Sequence, residues 1–289
     1  MLITLKDILK EASINEYAIA GFNVFGYEDA VMVVEAAEEL EVPVILMTNR
    51  DAVVHMPIKI LGNILTELAE EAKVPVCVHL DHGKSVEEAV EAIKAGFSSV
   101  MYDGSQLPIE ENIKNTKKVT EIAHYFGLSV EGEIGCVGYS NPSLQVQSMY
   151  TIPEEAKRFV EETGVDAVAV AIGTLHRMQA QEANIQYERL EEIERVVDIP
   201  LVIHGSTGIR DEDLIKLAQH KVGKVNIGTA LRMAFGNTMR DELNKKPNEF
   251  DRIKIFKKPM IEVKNVAREK MLILGAGKKS IVGGISVAR

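Results

Sequence analysis

The feature that most constrains the fold is a regular alternation of short β-branched runs with amphipathic helical patterns. Eight runs are predicted to be strands, at residues 18–24, 42–47, 74–80, 98–102, 128–133, 167–172, 200–204 and 224–227. Helical patterns lie between them, for example at 29–40, 58–72, 86–95, 109–126 and 153–163. Strands that alternate with helices run parallel, and eight such units in 289 residues predict an α/β fold of the (β/α)8 TIM-barrel type. The alternative is an open, doubly wound sheet.

The alternation stops after residue 245. Residues 251–269 carry a mixed basic and apolar helical pattern, and residues 271–287 are rich in glycine. We expect extra C-terminal helices that pack on the barrel or on a partner subunit. The segments 135–142 and 275–284, rich in glycine, proline and serine, are too short to be linkers. We therefore expect residues 1–289 to form a single domain.

Charge and hydropathy argue against two classes of partner. The chain has 33 basic and 43 acidic residues and no lysine-arginine block, which argues against nucleic acid. No apolar stretch approaches the ~20 residues of a membrane span, and no leader pattern opens the sequence. We expect a soluble, cytoplasmic protein. The two cysteines, Cys77 and Cys136, lack the spacing of a disulfide framework or a zinc finger and are expected to be reduced.

Three of the seven histidines follow the ends of predicted strands, where α/β barrels carry their chemistry. Asp81 and His82 end the third run in the motif HLDHG, His176 follows the sixth run, and His204 ends the seventh. Taken alone, Asp81 could cap the next helix and His82 could be an exposed loop residue. Three imidazoles at one barrel mouth are typical of catalytic zinc, which keeps one position open. We expect His79, inside the third strand, to be buried and hydrogen-bonded.

Two segments of small residues at the same edge predict an anion site. They are HGSTGI at 204–209, just before a helix, and NIGT at 226–229. Small residues let backbone N–H groups and hydroxyls reach an anion at a helix N-terminus. Either segment alone could be a tight turn. The loops after strands seven and eight are, however, the usual phosphate site of this type of barrel.

These motifs resemble those of the class II, zinc-dependent ketose-bisphosphate aldolases, the family of the fructose-bisphosphate and tagatose-bisphosphate aldolases. The likeness covers nearly the whole chain. It rests on the segments AGFNV (20–24), HLDHG (79–83), SSVMYDGS (98–105), VEGEIGCVG (130–138), PEEAKRFVEETGVD (153–166), AVAIGTLH (169–176), HGSTGI (204–209) and VNIGT (225–229).

The resemblance implies reversible cleavage of a ketose 1-phosphate or 1,6-bisphosphate to dihydroxyacetone phosphate and an aldehyde. It implies one catalytic Zn²⁺ per chain, bound by His82, His176 and His204, and it allows a monovalent cation at the substrate. Asp81 would shuttle the proton of the C4 hydroxyl. By the same analogy we expect a homo-oligomer, either a dimer or a tetramer.

The resemblance also implies the surroundings of the metal and the substrate. Asp103 and Glu133 match carboxylates near the metal, where a second or displaced cation can sit. Asn23 matches an active-site asparagine of the family. The phosphate of the substrate would be bound by Gly205, Ser206, Thr207, Asn226, Gly228 and Thr229.

The sequence departs from the family at two points in the site. Relatives follow the second zinc histidine with glycine, whereas Arg177 follows His176 here. Arg177 is either a bidentate clamp for an anionic group or a side chain turned to solvent. In addition, no Asp or Glu occurs between Ile134 and Pro153, where relatives carry the acidic residue that transfers the enolisation proton. Glu133 is the nearest candidate for that step.

A third departure concerns the aldehyde half of the substrate. Residues 47–63 replace the serine- and glycine-rich pattern of relatives in a region that faces this half. The sequence therefore predicts the dihydroxyacetone phosphate half and leaves the aldehyde open. Two alternatives stand beside the aldolase: a noncatalytic homologue that binds sugar phosphates, and an aldolase that uses a different donor or aldehyde.

Overall fold

The strands form the closed barrel that the alternation predicts. A computed structural model describes residues 1–12, 15–140 and 148–275, and in it eight parallel strands pair in sequence order. The strands are β1 (Ile19–Asn23), β2 (Val44–Thr48), β3 (Val76–Gly83), β4 (Ser99–Tyr102), β5 (Ser129–Ile134), β6 (Ala167–Val170), β7 (Leu201–Ile203) and β8 (Val222–Ile227). Because β1 pairs with β8, the alternative of an open sheet is excluded.

Eleven α-helices occur in the described part of the chain. They are α1 (Leu5–Leu9), α2 (Tyr27–Leu40), α3 (Arg50–His55), α4 (Ile58–Glu71), α5 (Val86–Lys94), α6 (Ile109–Tyr125), α7 (Pro153–Thr163), α8 (Tyr187–Glu194), α9 (Asp211–Leu217), α10 (Thr229–Lys245) and α11 (Arg252–Ile273). None of these helices combines the length and apolar character that a membrane crossing requires.

The C-terminal helix settles one of the two expectations for the tail. Helix α11 runs to residue 273, four residues beyond the predicted pattern, and packs against α2 and α10 of the barrel. The rest of the glycine-rich tail lies outside the described residues. Both cysteines are buried and neither forms a disulfide in the structure; their reduced state stays a prediction.

Local sequence explains why the elements begin and end where they do. Helix α7 starts at Pro153, whose ring fixes a helical φ and needs no hydrogen-bond donor, and Glu154 and Glu155 complement the helix dipole. It ends at Thr163, and Gly164, with a φ of 69°, caps it. The residues of β2 are buried without alternation, as expected for a parallel strand covered on both faces.

Two helical glycines test the packing of the outer layer with opposite expected signs. A Cβ on Gly62 of α4 would lie 2.8 Å from the Cβ of Ala95, whereas a Cβ on Gly236 of α10 would have no neighbour within 4 Å. We expect Gly62→Ala to lower the free energy of unfolding by about 1–3 kcal/mol through overpacking. Gly236→Ala should raise it by about 0.5–1 kcal/mol through helix propensity. Urea denaturation measures both, and a stabilising Gly62→Ala would contradict the packing of α4 against the end of α5.

Candidate active site

A cavity of about 580 Å³ opens at the carboxyl ends of the strands. Its lining contains all but one of the residues that the sequence predicts to be catalytic, metal-binding or substrate-binding. Those in the lining are Asn23, Asp81, His82, Asp103, Glu133, His176, Arg177, Gly205, Ser206, Thr207, Asn226, Gly228 and Thr229. His204 is fully buried and lies directly behind His82, with the two rings 4.6 Å apart between centroids.

A local irregularity of β3 turns Asp81 and His82 toward the same cavity. Neighbouring residues of a regular strand point to opposite faces of the sheet. Here the register of β3 against β4 shifts between Leu80 and Gly83, and His82 has a φ of 56°, in the left-handed region. The shift and the positive φ together explain how a carboxylate and an imidazole that are adjacent in sequence both line one cavity.

The three strand-end histidines come together as the sequence predicts. One ring nitrogen from each of His82, His176 and His204 lies within 4.8 Å of the other two. The closest pair is Nε2 of His82 and Nδ1 of His204, 2.8 Å apart. Backbone hydrogen bonds to Gly138 and from Ser140 hold the main chain of His176 in place.

Hydrogen bonds on the far side of two rings set their tautomers. Nδ1 of His82 donates to Asp103 at 2.8 Å, and Nε2 of His204 donates to Glu131 at 2.9 Å. Two neutral rings would then set their lone pairs against each other, so a proton or a metal ion has to lie between the facing nitrogens. Histidine ligands of metals have this arrangement, in which the second nitrogen donates to a carboxylate.

The charges around His82 support the same conclusion. Burial opposes protonation of His82, but the negative charges of Asp81, Asp103 and Glu133 outweigh burial and raise its pKa to about 10. The position therefore calls for a positive charge, which a proton or a bound metal ion can supply. A trio of imidazole nitrogens fits zinc, which prefers nitrogen and sulfur ligands.

Asp81 is buried and fixed by two amides. Nδ2 of Asn23 donates to one carboxylate oxygen at 2.9 Å, and Nδ2 of Asn226 donates to the other at 3.0 Å. Burial alone would raise the pKa of Asp81, but positive charge at the adjacent histidines, first of all His82, and at Lys224 outweighs burial and lowers the pKa to about 2. Asp81 is consequently an ionised, oriented proton acceptor beside the histidine cluster.

Asp103 and Glu133 lie on the outer side of His82 and form a second group with metal-ligand spacing. Asp103 accepts hydrogen bonds from the backbone and hydroxyl of Ser105 and pairs with Lys84. One oxygen of Glu133 accepts from the amide of Val137, and the other is buried without a partner, 3.6 Å from Nδ1 of His82. Burial and the charge of Asp103 raise the pKa of Glu133.

A layer of polar side chains lies below the histidines, and two of its members, Glu131 and Lys224, were not predicted from the sequence. Glu131 accepts from Nζ of Lys224 at 2.6 Å, and both side chains are fully buried inside the barrel. His79 bonds to Ser99, which confirms the expectation for this residue, and burial with the charge of Lys224 lowers its pKa to about 3. Strand periodicity could have revealed this layer, because residues two positions apart on a strand point to the same face. Each residue of the layer precedes a site residue by two positions. The pairs are His79 with Asp81, Glu131 with Glu133 and Lys224 with Asn226.

The buried pair of Glu131 and Lys224 leads to a prediction about stability. Lys224→Met leaves the Glu131 carboxylate without its ammonium partner, and we expect the free energy of unfolding to fall by about 3–5 kcal/mol. The double variant Glu131→Gln/Lys224→Met removes both charges and should recover most of that loss. Urea denaturation of metal-free protein measures both variants. A double variant less stable than Lys224→Met would contradict the pairing.

Two loop segments with the features of an anion site lie in the cavity wall. Gly205 has a φ of 71°, and a Cβ there would lie 2.6 Å from the carbonyl oxygen of Leu175. The hydroxyl of Ser206 donates to the backbone carbonyl of Asn226 at 2.5 Å and ties the two loops together. Thr229 begins helix α10, so backbone N–H groups are available there. The Asn226 side chain itself is directed at Asp81.

Arg177 lies at the rim of the cavity in an ion pair that the sequence did not predict. Its Nη2 is 2.8 Å from Oδ2 of Asp51, and Nη1 of Arg232 is 3.4 Å from the same oxygen. In the loop after β5, Tyr139 lines the cavity and burial raises its pKa. Three further polar residues of this loop, Asn141, Gln145 and Gln147, lie outside the described residues, and Tyr150 is half exposed.

Comparison with known proteins identifies the family. The family described as fructose-bisphosphate aldolase class-II matches residues 3–279. A Bacillus subtilis protein named probable fructose-bisphosphate aldolase is 36% identical over 283 residues, covering 96% of this chain and 99% of its own. A Bacillus licheniformis protein named 6-phospho-5-dehydro-2-deoxy-D-gluconate aldolase is 37% identical over 282 residues, covering 96% and 97%.

A solved structure agrees with the sequence relatives. The crystal structure of the YdjI aldolase from Escherichia coli K12 is similar over 99% of this chain and 100% of that one, with a TM-score of 0.86 and 31% identity. The chain belongs to the class II fructose-bisphosphate aldolase family and is by class a carbon–carbon lyase. The resemblance stated from the sequence motifs is thereby confirmed.

Proposed function

We propose that this protein is a zinc-dependent aldolase that reversibly cleaves a ketose 1-phosphate or 1,6-bisphosphate to dihydroxyacetone phosphate and an aldehyde. The observation that carries the proposal is that the buried carboxylate of Asp81 lies at the same barrel mouth as the cluster of His82, His176 and His204. Cleavage needs a base that takes the proton from one substrate oxygen and a positive charge that stabilises the negative charge on another. Asp81 is suited to the first role and the histidine cluster to the second.

The donor set supports one zinc ion per chain on His82, His176 and His204. Three imidazole nitrogens leave a fourth position of a tetrahedral ion open, as catalytic zinc sites do. When bound, the ion acts as a Lewis acid and stabilises the negative charge that develops on the ketose oxygens. Glu131 and Asp103 would hold two of the three rings in the tautomer that presents a lone pair.

Asp81 would transfer the proton at the C4 hydroxyl. In the cleavage direction its carboxylate accepts this proton while the C3–C4 bond breaks and the aldehyde forms. In the synthetic direction the same group returns the proton to the new hydroxyl oxygen. The amides of Asn23 and Asn226 orient both carboxylate oxygens, so the acceptor needs no rearrangement. Glu133, with one unpartnered oxygen, is the carboxylate we propose for the enolisation proton.

The dihydroxyacetone phosphate half would lie against the loops after β7 and β8. Gly205, Ser206 and Thr207 supply backbone N–H groups and hydroxyls, and Gly228 and Thr229 supply the start of helix α10. Such helix starts bind phosphate through N–H groups and the helix dipole. Asn226 joins this wall of the cavity to Asp81.

The names of two relatives support an anionic group at the other end of the substrate. One relative is named for a fructose bisphosphate and another for 6-phospho-5-dehydro-2-deoxy-D-gluconate. The first compound carries a second phosphate, and the second carries a carboxylate, in each case at the end remote from the ketose phosphate. We therefore include an anionic group on the aldehyde half in the proposed substrate class.

A substrate panel with control of the metal tests the proposal. Ketose 1-phosphates and 1,6-bisphosphates are incubated with zinc-loaded protein, and dihydroxyacetone phosphate is measured with a coupled dehydrogenase. We expect release from at least one substrate, loss of release after treatment with a chelator, and recovery on addition of zinc. Protein that contains zinc and binds the panel in calorimetry but releases no triose phosphate would instead indicate a noncatalytic sugar-phosphate-binding homologue. The homo-oligomer and the cytoplasmic location stay predictions.

A further inference from the structure

The pair of Arg177 and Asp51 joins opposite sides of the barrel mouth. Asp51 lies in the first turn of α3, just after β2, and Arg177 lies in the loop after β6. In an eight-stranded barrel β2 and β6 are diametrically opposed. Both residues line the cavity, so their ion pair of 2.8 Å passes over the entrance that a substrate must use.

One carboxylate oxygen of Asp51 is shared between two arginine side chains. The guanidinium groups of Arg177 and Arg232 both approach Oδ2 of Asp51, at 2.8 and 3.4 Å. The three side chains together carry one excess positive charge. All three are between two-fifths and one-half exposed, and ion pairs with that exposure contribute little to stability. An incoming anion can therefore displace Asp51 from Arg177 at small cost.

The backbone at Arg177 supports a role for its side chain. Its φ is 59°, in the left-handed region that glycine occupies without strain and other residues only at a cost. A charged side chain therefore occupies a position where the backbone favours glycine. The guanidinium is held over the cavity by Asp51 and by the ring of Tyr139, with its central carbon 5.6 Å from the ring centroid. The side chain thus lies over the cavity and is not turned away from it.

We propose that Arg177 is a specificity-determining residue that binds the anionic group at the far end of the aldehyde half, and that Asp51 occupies Arg177 until the substrate arrives. This inference rests on the proposed aldolase function. A guanidinium forms two parallel hydrogen bonds with either a phosphate or a carboxylate, so both are members of the ligand class. A substrate whose aldehyde half ends in a neutral hydroxyl cannot take the place of Asp51.

Pairs of substrates that differ only in the terminal group test the proposal. The wild type, Arg177→Gln and Arg177→Gly are compared on three substrates. These are a ketose 1,6-bisphosphate, the analogue with a terminal carboxylate, and the ketose 1-phosphate that ends in a neutral hydroxyl. We compare kcat/KM for a substrate with an anionic terminal group to kcat/KM for the substrate with the terminal hydroxyl. We expect this ratio to fall about 10- to 100-fold in both variants, mainly through KM. Arg177→Gly also relieves the strained φ, so a folding defect cannot account for its loss. A ratio unchanged in both variants would overturn the proposal.

Two further variants sharpen the experiment. Asp51→Asn removes the competitor of the substrate and should raise the same ratio, whereas a lowered ratio would overturn its role as placeholder. Arg158→Gln is the matched control, because Arg158 has a comparable exposed ion pair with Glu110 on the outer helices, and its ratio should equal that of the wild type. The two arms with anions identify phosphate or carboxylate as the preferred group. Cleavage by the wild type with unaltered selectivity in the Arg177 variants would refute this inference alone, whereas a wild type that cleaves nothing would refute the proposed function.

Discussion

Replacement of Asp81 by alanine is expected to lower the rate of carbon–carbon cleavage by about 10²- to 10⁴-fold, the usual contribution of a positioned general base. Zinc content should stay near one ion per chain, because both oxygens of Asp81 are bonded to the amides of Asn23 and Asn226 and do not belong to the histidine cluster. The coupled assay gives the rate, and elemental analysis of dialysed protein gives the zinc content.

A matched control separates proton transfer from the loss of a buried carboxylate. Asp166 is also buried and accepts a hydrogen bond from the backbone of Val130, but it precedes β6 at the opposite end of the barrel. We expect Asp166→Asn to lower stability and to leave turnover and zinc content near their wild-type values. Normal turnover in Asp81→Ala would remove this residue from the mechanism.

His204→Ala should cost the protein its metal. The substitution removes one of three imidazoles and also deprives Glu131 of a hydrogen-bond partner. Two remaining histidines cannot fill three positions of a tetrahedral zinc ion, so zinc content after dialysis should fall far below one per chain and cleavage should become undetectable. Because the ring of His204 is fully buried, its removal can also affect folding. Circular dichroism of the variant is therefore recorded to check that it is folded.

His55 provides the control for histidine loss. It ends helix α3 near the barrel mouth, is exposed and has no place in the cluster. We therefore expect His55→Ala to retain zinc and activity. Full zinc content in His204→Ala would show that the ligand set is wrong.

Much of the fold was predictable because it depends on local pattern. The eight strands were found from β-branched runs, and α7 from Pro153 followed by two glutamates, since these signals lie within a few neighbouring residues. Helix α11 extends past its predicted end because Met271 is buried on the barrel, a contact distant in sequence. The short helix α3 lacks a long periodic pattern and depends on the cap from Asn49.

The candidate site shows the same division between local and distant information. The three histidines and Asp81 were found because parallel strands deliver their ends to one edge. The turn of His82 into the cavity requires a register shift against β4, which the sequence of β3 alone does not reveal. The partnership of Arg177 with Asp51 joins residues 126 positions apart, so it emerges only when the barrel closes.

The central claim is that this site breaks a carbon–carbon bond and releases dihydroxyacetone phosphate. The most direct measurement is a mass balance on zinc-loaded wild-type protein, in which ketose consumed and dihydroxyacetone phosphate formed are determined in the same reaction, with Asp81→Ala in parallel. The account predicts one triose phosphate for each ketose consumed and almost none from the variant. Consumption that yields a different ketone, or equal yields from both proteins, would contradict it.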